Sequence, residues 1–165
     1  AEGRNRALVA SARSWSTGAD LRNFAVTVPR PVPGLLAAAE QHLRIGSPAT
    51  MADAVTRSHV DDGRCVGWYG PPVPGWRVAI DAERADAPVP PALARRFGTG
   101  DFWARWTRAE CCCKLADVPI TLWWRRHGLT IPSDGAALWR TLRPQNLVIT
   151  VGFAPTLPSS RSCTF

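Results

Sequence analysis

The stretch DFWARWTRAECCCKLA, residues 101–116, decides the fold because its spacing predicts one long amphipathic helix. Small or apolar residues recur along it at i, i+4, i+7, i+11 and i+14, which places them on one side of a helix. These residues are Phe102, Trp106, Ala109, Cys113 and Ala116. We expect them to form a buried stripe, with Trp106 and Cys113 in the core.

A second stripe on the same helix is mostly polar. It consists of Trp103, Thr107, Glu110 and Lys114. We expect Lys114, on this stripe, to reach solvent or a cleft. At the start of the helix, Thr99 or Asp101 is the expected N-cap, because both side chains can accept a hydrogen bond from the first turn.

Strands and shorter helices are predicted on both sides of this helix. Strands are expected at residues 24–28, 64–70, 75–82 and 146–153. Helices are expected at residues 31–44, 91–97 and 119–128, the last starting at a proline and stopping at a glycine. This order of elements predicts a mixed α+β fold.

The proline cluster PPVP, residues 71–74, is the best candidate for a boundary between two halves. The resulting division has four parts. They are a peripheral N-terminal segment (1–22), a reduced N-terminal half (23–74), a C-terminal half with an acidic site (75–153) and a loose tail (154–165).

The composition is that of a globular chain: 165 residues, 45% hydrophobic and 20% charged. No apolar run approaches the roughly 18 residues of a membrane span. The N-terminus has no sustained apolar region, so no secretory signal is expected and a cytoplasmic location is predicted. The net charge is +7, but all basic side chains except Lys114 are arginine. That bias is typical of GC-rich coding sequence, so the charge alone does not establish nucleic-acid binding.

The five cysteines do not form a disulfide framework, because their number is odd and three of them are adjacent. They are Cys65, Cys111, Cys112, Cys113 and Cys163. Adjacent residues of a helix point in different directions, so the run is poorly suited to hold one metal ion. Reduced thiols are expected.

Two carboxylates lie at the end of the apolar strand expected at VAIDAE, residues 78–83. Asp81 and Glu83 are two positions apart, so a strand places both on one face. Neighbouring acids repel each other and are tolerated best in solvent or around a cation. Magnesium usually takes one or two carboxylates and completes its shell with phosphate and water. The alternative is a strand end that runs into a solvated loop.

Two further pairs can serve a phosphorylated ligand. Glu110 and Lys114 lie at i and i+4, where Glu110 could join the metal or take a proton while Lys114 binds phosphate. The alternative is a surface ion pair worth about 0.2–0.5 kcal/mol. Ser58 and His59, beside Arg57, are expected in a loop just before a strand, from which they could donate to phosphate.

The order and spacing of three stretches resemble the two-half type of 4′-phosphopantetheinyl transferase. They are SHVDDG (58–63), VAIDAE (78–83) and WTRAECCCK (106–114). The family has a Ser-His motif before a strand, an Asp-x-Glu strand, and a helix with a Trp-Ser/Thr motif followed by glutamate and lysine. The resemblance implies a compact fold of two small α/β halves in which the first half is truncated.

The resemblance also implies an activity: magnesium-dependent transfer of phosphopantetheine from coenzyme A to a serine of an acyl or peptidyl carrier protein. It places magnesium on Asp81, Glu83 and Glu110, with Glu110 as the base. It places Lys114 on the coenzyme A phosphates and His59, with Arg57 and Ser58, near the 3′-phosphate.

The chain departs from the family pattern at several positions. The family lysine before the glutamate is Ala109, and the glycine before the Asp-x-Glu motif is Ala79. Arg44 and Arg57 are the available candidates for contacts to the adenine nucleotide. A second hypothesis is therefore the same fold used for another biosynthetic step or for non-catalytic binding.

A third hypothesis is DNA binding, because KLADVPITLWWRRHGL, residues 114–129, resembles a helix-turn-helix with a basic second helix. Against it, Trp123 and Trp124 would be buried, and few short polar side chains remain to read bases. The sequence favours the transferase fold over nucleic-acid binding.

Overall fold

The structure, a computed structural model, describes residues 31–133 and 135–156. These residues form a mixed α+β fold, as the order of elements predicts. The helices are α1 (Pro31–Ala37), α2 (Ala39–His42), α3 (Pro91–Phe97), α4 (Phe102–Ala116) and α5 (Ile120–His127), with a 3₁₀ helix at Pro48–Met51. The strands are β1 (Leu43–Gly46), β2 (Thr56–His59), β3 (Cys65–Trp68), β4 (Trp76–Arg84), β5 (Leu138–Leu142) and β6 (Leu147–Pro155).

Some predicted segments lie outside the described residues, namely the N-terminal segment 1–22, the strand at 24–28 and residues 157–165 of the tail. Residues 154 and 155, which were expected in the tail, belong to β6 and pair with β4. Across the described part of the chain, every helix is too short or too polar to span a bilayer.

The strands form two antiparallel three-stranded sheets. The first has the order β1-β3-β2 and the second the order β4-β6-β5. In each sheet the strand that comes last in the chain is the central one. The prolines at 71–74 fall between the two sheets, and β2 lies against β4 where the sheets meet.

One hydrophobic core joins the sheets. Alternate residues of β4, such as Ile80 and Ala82, point into it together with residues of β6 and of α1. Trp68 of the central strand of the first sheet is fully buried there and meets Phe153 of β6 edge-on, with ring centroids 5.8 Å apart. The two halves therefore share their core.

The opposite face of the second sheet is covered by α4. Thr107 of α4 and Thr150 of β6 are both fully buried, and their hydroxyls lie 2.8 Å apart. The thiol of Cys111 donates to the carbonyl oxygen of Ala79, at 3.3 Å. Thr107 belongs to the mostly polar stripe of the helix, but its hydroxyl finds a partner on the sheet and can therefore be buried without loss.

The other side of α4 packs in an aromatic cluster with α3 and α5. Cys113 is buried, as predicted, but Trp106 is only half-buried, between the rings of Phe102 and Trp124. Ala116, in the last turn of α4, is exposed. The stripe predicted as core is therefore buried in the middle of the helix and open at its end.

Two predictions about helix ends need correction. The helix expected at 31–44 is broken at Ala38 and ends at His42, because Leu43 pairs with Trp68 as the first residue of β1. Asp101 occupies the N-cap position of α4, but its side chain makes no cap hydrogen bond. Its carboxylate is instead paired with Arg108 and Arg143.

Candidate functional site

Ser58 and His59 lie in β2 and not in a loop, which corrects the sequence-based prediction. The strand is short, and its pairing with β3 forms it: Ser58 lies opposite Val66 and His59 opposite Cys65. Because side chains alternate along a strand, Ser58 points inward and is only 5% exposed. Arg57 and His59 are exposed on the other face.

Asp81 is the centre of the site and is only 6% exposed. The hydroxyl of Ser58 donates a hydrogen bond to Oδ1 of Asp81 at 3.3 Å and accepts one from the backbone N–H of Ala82 at 3.2 Å. The ammonium of Lys114 donates to the same Oδ1 at 2.7 Å and to the carbonyl oxygen of Ile80 at 2.9 Å. This one carboxylate therefore links β2, β4 and α4.

Glu83 and Glu110 lie close enough to Asp81 for its charge to raise their pKa values. Burial is the largest cause that raises the pKa of Asp81, and the Lys114 charge opposes it. Burial also raises the pKa of Glu83, to about 7, and the charges of Asp81, Asp61 and Glu110 add to the shift. The pKa of Glu110 is raised by burial and then by Asp81. The three predicted acids thus share one neighbourhood.

Two features of this neighbourhood were not foreseen. Lys114 is paired with Asp81 and not with Glu110, which was its expected partner in an ordinary helix ion pair. Asp61 raises the pKa of Glu83, although it was not a candidate residue. Its position directly after the Ser-His motif was the available signal.

The raised pKa of Glu83 predicts a pH dependence of stability. From its ordinary value of 4.5 to about 7, the folded chain holds a proton that the unfolded chain has lost. The free energy of unfolding should therefore fall as the pH rises through this window. Glu83→Gln should reduce that fall and be more stable than the wild type at pH 8. Urea denaturation at pH 4 and pH 8 measures both quantities.

Glu40→Gln is a suitable control, because Glu40 is an exposed glutamate on α2 whose contact is with Arg140. This replacement should have little effect on the difference in the free energy of unfolding between pH 4 and pH 8. If Glu83→Gln is no more stable than the wild type at pH 8, burial and the neighbouring charges do not disfavour the ionised form of Glu83 as described.

The acids suit magnesium in their chemistry but do not form a complete cage. Among the described residues, no group of three or more His, Cys, Asp or Glu side chains is arranged to hold a metal ion. However, Oδ2 of Asp81 is buried and has no hydrogen-bond partner within residues 31–133 and 135–156, which leaves one oxygen ligand unused there. Magnesium commonly takes one or two carboxylates and obtains its other ligands from phosphate and water. The site therefore fits magnesium that is bound together with a phosphorylated ligand.

The basic candidates lie on the first sheet, away from Asp81. Arg44 and Arg57 flank Gly67 on neighbouring strands, and the Arg44 guanidinium lies 4.3 Å from the centre of the Tyr69 ring. Arg57 and His59 project from the face of β2 opposite to Ser58. The structure thus brings Ser58 and Lys114 to Asp81 but not His59.

Helix α5 has the features considered for DNA binding. Trp123 and Trp124 are half-buried and pack in the aromatic cluster, whereas Arg125 and Arg126 are exposed. The tryptophans are therefore used for packing, and the basic side chains are accessible.

The adjacent thiols are buried and poorly suited to chemistry. Burial raises the pKa of Cys112 to about 11 and that of Cys113 to about 12, and raises the pKa of Cys111 as well. Because the thiolate is the reactive form, these cysteines should be inert near neutral pH.

Comparison with known proteins identifies no relative. No protein-family model, no curated protein and no solved structure matches this chain. A functional assignment therefore depends on the residues of the site.

Proposed function

We propose that this chain binds magnesium and coenzyme A around Asp81 and transfers phosphopantetheine to a serine of an acyl or peptidyl carrier protein. The observation that carries the proposal is the buried carboxylate of Asp81, which is held by Ser58 and Lys114 and flanked by two glutamates of raised pKa. All of these residues belong to the three stretches that resemble the transferase family.

The charges explain why the ligand would need a cation. Asp81, Glu83 and Glu110 supply about three negative charges when ionised, and Lys114 is bonded to the first of them. An unaccompanied diphosphate would be repelled. Magnesium, held by these carboxylates, would supply the positive charge that lets a diphosphate approach them.

The chain's own residues have separable roles in this proposal. Asp81 and Glu83 hold the cation, and Lys114 supplies a positive charge for the phosphates. Glu110 is the base that takes the proton of the carrier serine, since its raised pKa makes it a better proton acceptor than an ordinary glutamate. Ser58 orients Asp81 through its hydrogen bond.

The architecture gives the proposal further support. Two three-stranded sheets with the same strand order meet at β2 and β4, as expected for a fold built from two related halves. The described part of the first sheet has strands of only four residues, in keeping with a reduced first half.

Mass spectrometry of apo carrier proteins tests the activity directly. Incubation with coenzyme A, magnesium and this protein should add one phosphopantetheine to the carrier serine. Chelation of magnesium should abolish the gain in mass. If a panel of acyl and peptidyl carriers gains no mass under any condition, transfer is excluded for them.

A second candidate is a protein of this fold that binds a phosphorylated ligand without transferring phosphopantetheine. It is favoured by Ala109, which stands where the family has a lysine and is fully buried in the aromatic cluster. That position therefore contributes no charge to the phosphates. Calorimetry that shows magnesium-dependent coenzyme A binding, without transfer to any carrier, would support this candidate.

A further inference from the structure

Lys114 is held by two oxygen atoms of its own chain. Its ammonium donates to Oδ1 of Asp81 at 2.7 Å and to the carbonyl oxygen of Ile80 at 2.9 Å. Its side chain is nevertheless 39% exposed, so the lysine lies at the edge of the site and not inside the core. A lysine held in this way cannot also contact a phosphate without giving up its partners.

Asp81 depends on this lysine for its neutralisation. Among the ion pairs of residues 31–133 and 135–156, Asp81 takes part in one, with Lys114. The nearby Arg84 is paired with Asp61 and Asp86, and Arg77 directs its guanidinium to the carbonyl oxygen of Lys114. Lys114 is therefore the internal counter-ion of a buried carboxylate.

We propose that Lys114 is an exchangeable counter-ion: magnesium displaces it from Asp81, and the released ammonium then binds the phosphate of the incoming ligand. The inference rests on the proposed function, because it assumes that magnesium binds at Asp81. A divalent cation and an ammonium on one carboxylate repel each other strongly in a poorly solvated site. Lys114 has a flexible four-carbon stem and an exposed side from which it can leave.

If this exchange takes place, removal of Lys114 should have opposite effects on the binding of magnesium and of coenzyme A. Removing the lysine should strengthen the binding of magnesium alone, because the metal no longer has to displace a competing cation. The same change should weaken coenzyme A binding, because the phosphates lose their ammonium. If Lys114 only stabilised the fold, its removal would weaken the binding of both magnesium and coenzyme A, or of neither.

Calorimetric titration of MgCl₂ into the wild type and into Lys114→Met tests the first of these effects. Lys114→Met should bind magnesium about five-fold or more tightly than the wild type, since one competing charge is gone. Arg77→Met is the matched control. It removes a positive charge from β4 that contacts Lys114 but not Asp81, and it should leave magnesium affinity unchanged.

The wild-type chain allows a test without mutation, because it contains a single lysine. Protein labelled with ¹³C and ¹⁵N lysine should give one set of side-chain NMR signals, from Lys114. These signals should shift on addition of magnesium and shift again on addition of coenzyme A. Circular dichroism of each variant confirms that it is folded before titration.

The outcomes separate the inference from the proposed function. If magnesium binds the wild type while the Lys114 signals stay unchanged and Lys114→Met binds no more tightly, the exchange is wrong and the metal site stands. If neither the wild type nor Lys114→Met binds magnesium, with or without coenzyme A, the proposed function fails and the exchange fails with it.

Discussion

Asp81→Asn is expected to abolish magnesium-dependent binding of coenzyme A and to lower the rate of phosphopantetheine transfer by more than about 100-fold. The amide keeps the shape of the side chain and can still accept the hydrogen bond of Ser58, but it has no charge to hold a cation. Glu83 and Glu110 are half-buried and cannot replace the central ligand. Calorimetry and the carrier mass assay measure the two effects.

The same replacement should not reduce stability in the absence of magnesium. Burial already disfavours the charged form of Asp81, as its raised pKa shows, so a neutral side chain of equal size removes a penalty together with the ion pair. Loss of function at unchanged or increased stability is typical of a site residue. Asp86→Asn is the control, because Asp86 is an exposed acid that contacts Arg84. An Asp81→Asn variant with full activity would refute the proposed site.

Trp68→Ala is expected to lower the free energy of unfolding by about 3–5 kcal/mol, the usual cost of emptying a large buried site. Trp68 is 0% exposed and contacts Phe153 of the second sheet and His42 at the end of α2. The cavity would lie where the two sheets meet. Urea denaturation monitored by far-ultraviolet circular dichroism measures the change.

Two further variants test whether the loss of stability in Trp68→Ala comes from the cavity in the shared core. Trp139→Ala should cost little, because Trp139 is 40% exposed on β5. Trp68→Phe should retain most of the stability, because it keeps a ring in the core and removes an indole N–H that is buried without a partner among the described residues. If Trp68→Ala costs no more than Trp139→Ala, the two sheets do not share the core described.

The candidate site was partly predictable, because its acids stand in motifs of fixed spacing. Asp81 and Glu83 share a strand face by simple alternation, and Glu110 and Lys114 share a helix face. The partner of each side chain was not predictable, since it depends on how α4 is rotated against the sheet. That rotation directs Lys114 to Asp81 and buries Thr107 against Thr150.

By itself, the sequence determined the elements whose boundaries are locally encoded. The helices at 91–97, 102–116 and 120–127 follow from apolar periodicity and from nearby prolines and glycines, and so do the strands at 76–84 and 147–155 except for their last two residues. These elements are stabilised largely by burial of an apolar face, and the spacing of apolar residues in the sequence already defines that face.

Only the tertiary structure decided the four-residue strands β1 and β2, which have too few residues for a periodic signal and exist because β3 pairs with both. That pairing converts Leu43 from a helix residue to a strand residue and turns Ser58 toward Asp81. A hydrogen bond between residues 23 positions apart in the chain has no local signature. The buried carboxylate at the centre of the site is therefore a product of the fold.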